Sequence, residues 1–155
     1  MHNLTDTKIF ESGIKDVNFG GNVKIVNPVN IYGCTIGDDC FIGPFVEIQK
    51  DVFVGKRCKV QSHSFICELV SIGDDCFVGH GVMFINDLFS GGGPARGDKS
   101  LWRSTKIGNN VSIGSNSTIL PVEICNNVVI GAGSVVTKNI TDPGVYVGNP
   151  AKKLR

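Results

Sequence analysis

Cysteine pairs of the Cys-x-x-Cys kind are absent from this 155-residue chain although it holds six cysteines, and it has only one tryptophan and two tyrosines. Without such pairs, a zinc ribbon or a dithiol redox site has no ligand set to be built from. Net charge is almost absent as well. Fifteen Lys and Arg stand against fourteen Asp and Glu, for +1 and a pI of about 7.6, which excludes electrostatic capture of a nucleic-acid backbone. No apolar run is long enough to cross a bilayer. The opening MHNLTDTKIFESG lacks the basic start and apolar stretch of a signal peptide. The expectation is a soluble, cytoplasmic, single-domain protein over 1–155, without nucleic-acid or membrane partners. The Asn-x-Ser/Thr triplets at Asn3, Asn116 and Asn139 and the Arg96-Gly97-Asp98 triplet are then chance matches, and His2 belongs to the terminus.

What is present is a period of six. Stepping by six from Ile36 meets Ile42, Ile48, Val54, Val60, Ile66, Ile72, Val78 and Phe84, all apolar and mostly β-branched. Stepping from Cys34 meets Cys40, Val46, Val52, Cys58, Ser64, Val70, Cys76 and Val82, all small or β-branched. The first series resumes at Ile107, Ile113 and Ile119, loses one residue around Pro121, and continues through Ile124, Ile130 and Val136. Neither the 3.6-residue period of a helix nor the two-residue period of an isolated strand produces this spacing. A short strand and a corner, repeated three times per coil, does: the fold class is all-β, a parallel β-helix of hexapeptide repeats over about 19–136. Cys34, Cys40, Cys58 and Cys76 fall on the small inward positions and read as compact hydrophobes.

The period breaks at 79–104, GHGVMFINDLFSGGGPARGDKSLWRS, where a glycine-rich loop of about 87–104 is extruded. Residues eighteen apart stack in such a coil. One corner column reads Pro44, Ser62, His80 and continues through Ser115 and Ala132; the neighbouring corner reads Lys50, Glu68, Asn86, Pro121 and Lys138. His80 and the Glu68–Asn86 pair therefore stand on adjacent corners at the root of the loop. Each has a plain reading too: a solvated histidine, an Asn capping the loop, and a Lys50–Glu68 surface ladder. Trp102 is expected to anchor the end of the loop. Gly91-Gly92-Gly93-Pro94 lacks the Gly-Lys-Ser/Thr ending of a phosphate loop.

The segments IYGCTIGDDCFIGPFVEIQ, FVGHGVMFIND, IGNNVSIGSNSTILP, VVIGAGSVVTKNI and VYVGNPAKKLR together resemble the left-handed β-helix acyltransferases. Within them, the chain looks most like the N-acetyltransferases of nucleotide-linked 3-amino sugars that serve surface polysaccharide and O-antigen biosynthesis. The resemblance implies a left-handed coil with a short C-terminal tail, acetyl-CoA as co-substrate, no metal, and a homotrimer with three sites between subunits. It places coenzyme A beside Ser115 and Ala132, with Lys138 and Lys152 near its phosphates, and makes the 87–104 loop a wall of the acceptor pocket. A dTDP- or UDP-linked 3-amino-deoxyhexose would meet Asn86, Asp87 and Glu68.

Amide formation needs a neutral amine aligned on a thioester carbonyl and a place for the developing oxyanion. His80 is the natural proton acceptor, since imidazole exchanges protons near neutrality. Asn86 orients the amine through its side-chain carbonyl, and Glu68 is the alternative base. Three other readings stay open: a hexapeptide acyltransferase with a different acceptor, a metal-dependent lyase using His63 and His80, and a non-catalytic β-helix scaffold.

Overall fold

A computed structural model describes residues 7–155; His2 and Asn3 lie outside the described residues. The chain winds through three parallel sheets, which form the three faces of a prism. The first face stacks Ile14–Lys15, Asn30–Tyr32, Glu47–Ile48, Phe65–Ile66, Met83–Phe84, Thr118–Ile119 and Val135–Val136. A six-stranded face runs from Asn18–Phe19 to Glu123–Ile124, and an eight-stranded face runs through seven parallel strands from Lys24–Ile25 to Gly144–Val147 and ends on the antiparallel Lys152–Lys153. Strand pairing follows the expected register: Ile48 lies against Ile66, and Phe84 against Ile119 across the loop. The architecture is the left-handed coil of hexapeptide repeats.

Both inward series are buried. Ile36, Ile42, Ile48, Val54, Val60, Ile66, Ile72 and Val78 are completely enclosed, and every member of the Cys34-to-Val82 series is buried. The cysteines are all free, but they do more than fill space. Cys40 Sγ donates to the Gly55 carbonyl at 3.0 Å and Cys58 Sγ to Gly73 at 3.1 Å; Cys76 does the same to Gly108 at 3.1 Å. Ser64 Oγ takes the equivalent role toward Gly79 at 2.7 Å and Ser117 toward Gly131 at 3.1 Å. Where the small inward residue is a cysteine or serine, it thus ties its corner to the carbonyl of the coil above.

The irregularity around Pro121 is not unique. The same corner is also one residue short between Ile31 and Ile36, which pair with Ile48 and Val54. The long insertion between Phe84 and Ile107 occupies this corner too. The opposite corner is stiffened instead by a ladder: Asp38, Asp74, Asn109 and Asn126 accept from the main-chain N–H groups of Gly21, Lys56, Asp74 and Asn109 at 2.7–2.9 Å. Variation is concentrated at the edge where no such ladder must be kept.

Candidate functional site

The two columns form as expected. Asn116 N donates to the His80 carbonyl and Gly133 N to that of Ser115, each at 2.8 Å, so Ser62, His80, Ser115 and Ala132 climb one edge. Lys50, Glu68, Asn86, Pro121 and Lys138 climb the next, following the Glu47–Phe65–Met83–Thr118–Val135 pairings. His80 and Asn86 sit at opposite ends of the Met83–Phe84 strand. His80 stands at the corner that leads into this face and Asn86 at the corner that leaves it, and no hydrogen bond joins the two.

What one chain does bring together is Asn86, Glu68 and the loop. Asn86 Nδ2 donates to the Glu68 main-chain carbonyl at 3.2 Å, and the Asn86 carbonyl accepts from Arg103 N at 2.9 Å, closing the stem. Asn86 is half-buried. Glu68 is buried, and both of its side-chain oxygens bind Lys99 Nζ, at 2.7 and 3.0 Å. The anticipated Lys50–Glu68 ladder is replaced by this pair, while Lys50 lies 3.9 Å from Asp51. The Glu68 carboxylate beside it holds the Lys99 ammonium above its ordinary range. Both Glu68 side-chain oxygens are therefore occupied by the Lys99 ammonium.

Asp87 folds the loop on itself. Its two carboxylate oxygens accept from Phe89 N at 2.9 Å and Ala95 N at 2.7 Å. Trp102 is half-buried at the returning end, with Lys99 Nζ 5.1 Å from its ring centroid. Beside Asn86, Phe65, Ile85, Leu88, Phe89 and Leu120 line a largely apolar hollow of about 450 Å³. A larger hollow of about 760 Å³ lies at the N-terminal end of the prism, lined by Phe10, Ile14, Tyr32 and Lys50 among others, away from Asn86 and His80.

The basic tail is built into the prism. Lys152–Lys153 pair antiparallel with Tyr146 and Val147, and Ala151 N donates to the Val135 carbonyl at 2.8 Å. This seats the Gly148-Asn149-Pro150-Ala151 turn on the last coil of the Ser115–Ala132 edge and brings Lys152 near it. Lys138 stands on the Asn86 corner instead, so the four residues matched to coenzyme A do not share one edge. His63 aligns with Phe45 rather than with His80; the two rings stack at 4.9 Å and 15°. Among the described residues, no three His, Cys, Asp or Glu side chains gather into a group that could hold a metal ion. Lys99, which sequence periodicity cannot place, is the site residue that was missed: it lies 31 residues from Glu68, on the inserted loop.

Comparisons with known proteins match the hexapeptide repeat. The family described as hexapeptide repeat of succinyl-transferase matches residues 69–83 and 104–138, and bacterial transferase hexapeptide (six repeats) matches 33–68. Together they cover more than half of the chain, and the loop falls in the gap between the two segments of the first match. The bifunctional protein GlmU of Synechococcus sp. is 36% identical over 151 residues, which is 96% of this chain and 30% of that protein. The chain thus spans about a third of the length of the curated relatives it matches. A mutant of the N-acyltransferase AntD from Bacillus cereus, solved in complex with dTDP and coenzyme A, superposes with a TM-score of 0.54 and 25% identity, over 89% of this chain and 82% of that one. A hexapeptide-repeat acetyltransferase from Vibrio cholerae in complex with acetyl coenzyme A shares the fold, with a TM-score of 0.64 and 22% identity over 79% and 70% of the two chains.

Proposed function

Because the chain belongs to the hexapeptide-repeat transferases, we propose that it is an acetyl-CoA-dependent N-acetyltransferase acting on the amino group of a nucleotide-linked amino sugar. The observation that carries this reading is the fixed, half-buried Asn86. One of its two amide N–H groups donates to the Glu68 carbonyl, which fixes the side chain and leaves its oxygen to accept from an incoming amine. That is the geometry of a residue that orients a nucleophile without taking its proton.

The amine nitrogen, held by Asn86, adds to the thioester carbonyl carbon. The C–S bond then breaks, the thiolate leaves, and the ammonium proton passes to the His80 imidazole. Since His80 and Asn86 of one copy lie at opposite ends of a strand, the complete site takes Asn86 from one subunit and His80 from another, in a homotrimer. Acetyl-CoA lies along the Ser115–Ala132 edge, where the turn at 148–151 and Lys152 supply donors for its phosphates. Asp87 acts indirectly, by shaping the loop. AntD, solved with dTDP and coenzyme A, supports an acceptor that carries a nucleoside diphosphate, and the proposed reaction uses no metal. The 3-amino-deoxyhexoses are the proposed acceptors, in the cytoplasm, for surface polysaccharide assembly.

Incubation with acetyl-CoA and a panel of dTDP- and UDP-linked 3-amino and 4-amino sugars, read by mass spectrometry, tests the proposal. A gain of one acetyl group on a panel member supports it. Binding of acetyl-CoA without any product overturns the acceptor class, and no binding overturns the transferase reading.

A further inference from the structure

We propose that Lys99 is a positioning residue of the acceptor site: by latching the 87–104 loop to Glu68, it holds the Asn86 amide in its working orientation. Glu68 is the hub of this arrangement. Its side chain binds Lys99 Nζ through both oxygens, at 2.7 and 3.0 Å, while its main-chain carbonyl accepts the Asn86 Nδ2–H at 3.2 Å. The loop therefore touches the Asn86 corner twice, covalently at its stem and through this ion pair further along.

An exposed ion pair would carry little weight, but this one is not symmetric. The Glu68 side chain is 12% exposed and that of Lys99 49%. The loop spends its cation on a carboxylate that is already out of water, and removing Lys99 leaves that carboxylate buried and uncompensated. Relief then requires Glu68 to turn outward or water to enter, and either change disturbs the segment whose carbonyl fixes Asn86. Lys99 is itself held in place. It starts a short 3₁₀ turn, Lys99–Leu101, capped by Asp98, whose Oδ1 accepts from Ser100 N at 3.0 Å. Its ammonium lies 5.1 Å from the centroid of the Trp102 ring, at the point where the chain returns to the coil. Arg103 N then closes on the Asn86 carbonyl at 2.9 Å. Asn86, Glu68, Lys99, Trp102 and Arg103 thus form one closed circuit around the loop.

This rests on the reading of Asn86 as the residue that orients the acceptor amine. Trp102 is the only tryptophan in the chain, so its fluorescence reports the latch without any substrate. The test compares Lys99→Met and Lys99→Arg with the unaltered protein, by acrylamide quenching of Trp102 and by steady-state kinetics toward both substrates. Lys99→Met is expected to increase quenching about twofold, to raise the acceptor KM about tenfold with a lower kcat, and to leave the acetyl-CoA KM within about twofold. Lys99→Arg is expected to restore most of each change. More quenching with unaltered acceptor kinetics overturns the positioning role, and unaltered quenching overturns the latch. Equal losses toward both substrates overturn it as well. Turnover indifferent to Lys99 defeats this inference alone. A protein that acetylates no nucleotide-linked amino sugar defeats the proposed function and this inference with it.

Discussion

Asn86 donates its side-chain amide to the main-chain carbonyl of Glu68, one coil below, at 3.2 Å. The bond crosses from a corner that ends in an extruded loop to one that does not. It fixes which end of the Asn86 amide is left to meet a ligand, and the following expectations begin from that asymmetry.

Asn86→Ala removes the group proposed to align the amine while leaving the buried core untouched. Turnover at saturating substrate is expected to fall about 30- to 300-fold, as for the loss of one positioning hydrogen bond in a dry site. Thermal stability should change little. Full turnover in this variant, measured beside an unchanged melting temperature, would sink the assignment.

His80→Ala and Asn86→Ala offer a test of shared sites. Each variant alone is expected to be nearly inactive, but equal mixtures, unfolded and refolded together, should regain about a quarter of the unaltered activity if each site draws one residue from each of two copies. No recovery in reassembled mixtures would place both residues of a site on the same chain, contrary to the separation of the two corners.

Asp87→Ala releases the N–H groups of Phe89 and Ala95. A carboxylate accepting two such bonds contributes about 1.5–3 kcal/mol per bond to the local fold. Limited trypsin cleavage at Arg96 or Arg103 is expected to accelerate at least tenfold, with the prism intact. Equal cleavage rates in the two proteins would contradict the stapling role.

Burial pushes the thiols of Cys34 and Cys67 up, to about 11 and 12. In Cys58 an opposing hydrogen bond with Cys40 is outweighed by its hydrogen bond with Cys76 and its burial, and it rises to about 12. Cys76, held down by its hydrogen bond with Cys58, acts in the opposite sense. The other three native thiols stay protonated where unfolded ones ionise, so unfolding releases protons from them above the ordinary thiol range. Stability from this source is fully present below about pH 9 and is lost between about pH 9 and 12 as the unfolded chain gains thiolates. Melting temperature should fall steeply through that interval. At pH 8, half-buried Cys125 should react rapidly with a disulfide reagent and the five buried thiols only on unfolding.

Gly79→Ala would set a Cβ 2.7 Å from the Ile113 carbonyl oxygen and the Ser115 nitrogen, both main-chain atoms of the coil above. The coils must separate to admit it, at a cost of about 2–4 kcal/mol. Since Ser115 lies on the edge proposed for coenzyme A, its affinity should fall as well. Gly91→Ala meets nothing within 4 Å and is expected to alter stability by less than about 0.5 kcal/mol. Similar melting temperatures for the two variants would contradict the close coil approach.

The coil was legible because its physics is local and repeated. A six-residue step of β-branched and small side chains admits one way of burying both series, and every residue of those series is enclosed. Column membership followed from the same arithmetic, so His80 with Ser115 and Asn86 with Glu68 were expected neighbours. The arithmetic failed where the repeat was interrupted. The short corner between Ile31 and Ile36 escaped notice because its own inward residues remain apolar at a five-residue step. The role of the small inward residues as donors was equally hidden, since a thiol and a valine occupy the same column and only the finished coil shows the carbonyl within reach.

Composition and period thus settled the fold class, the core, and the corner columns on which His80 and Asn86 stand, because each of these depends only on residues at fixed spacing. The partner of Glu68, the occupied oxygens of Asp87 and the separation of His80 from Asn86 depend on the path of an insertion without a repeat and on the width of a prism face. Spacing along a chain carries no information about either. Lys99 reaches Glu68 because the loop folds back over the corner it left, and that return is set by packing, capping and charge acting together in three dimensions.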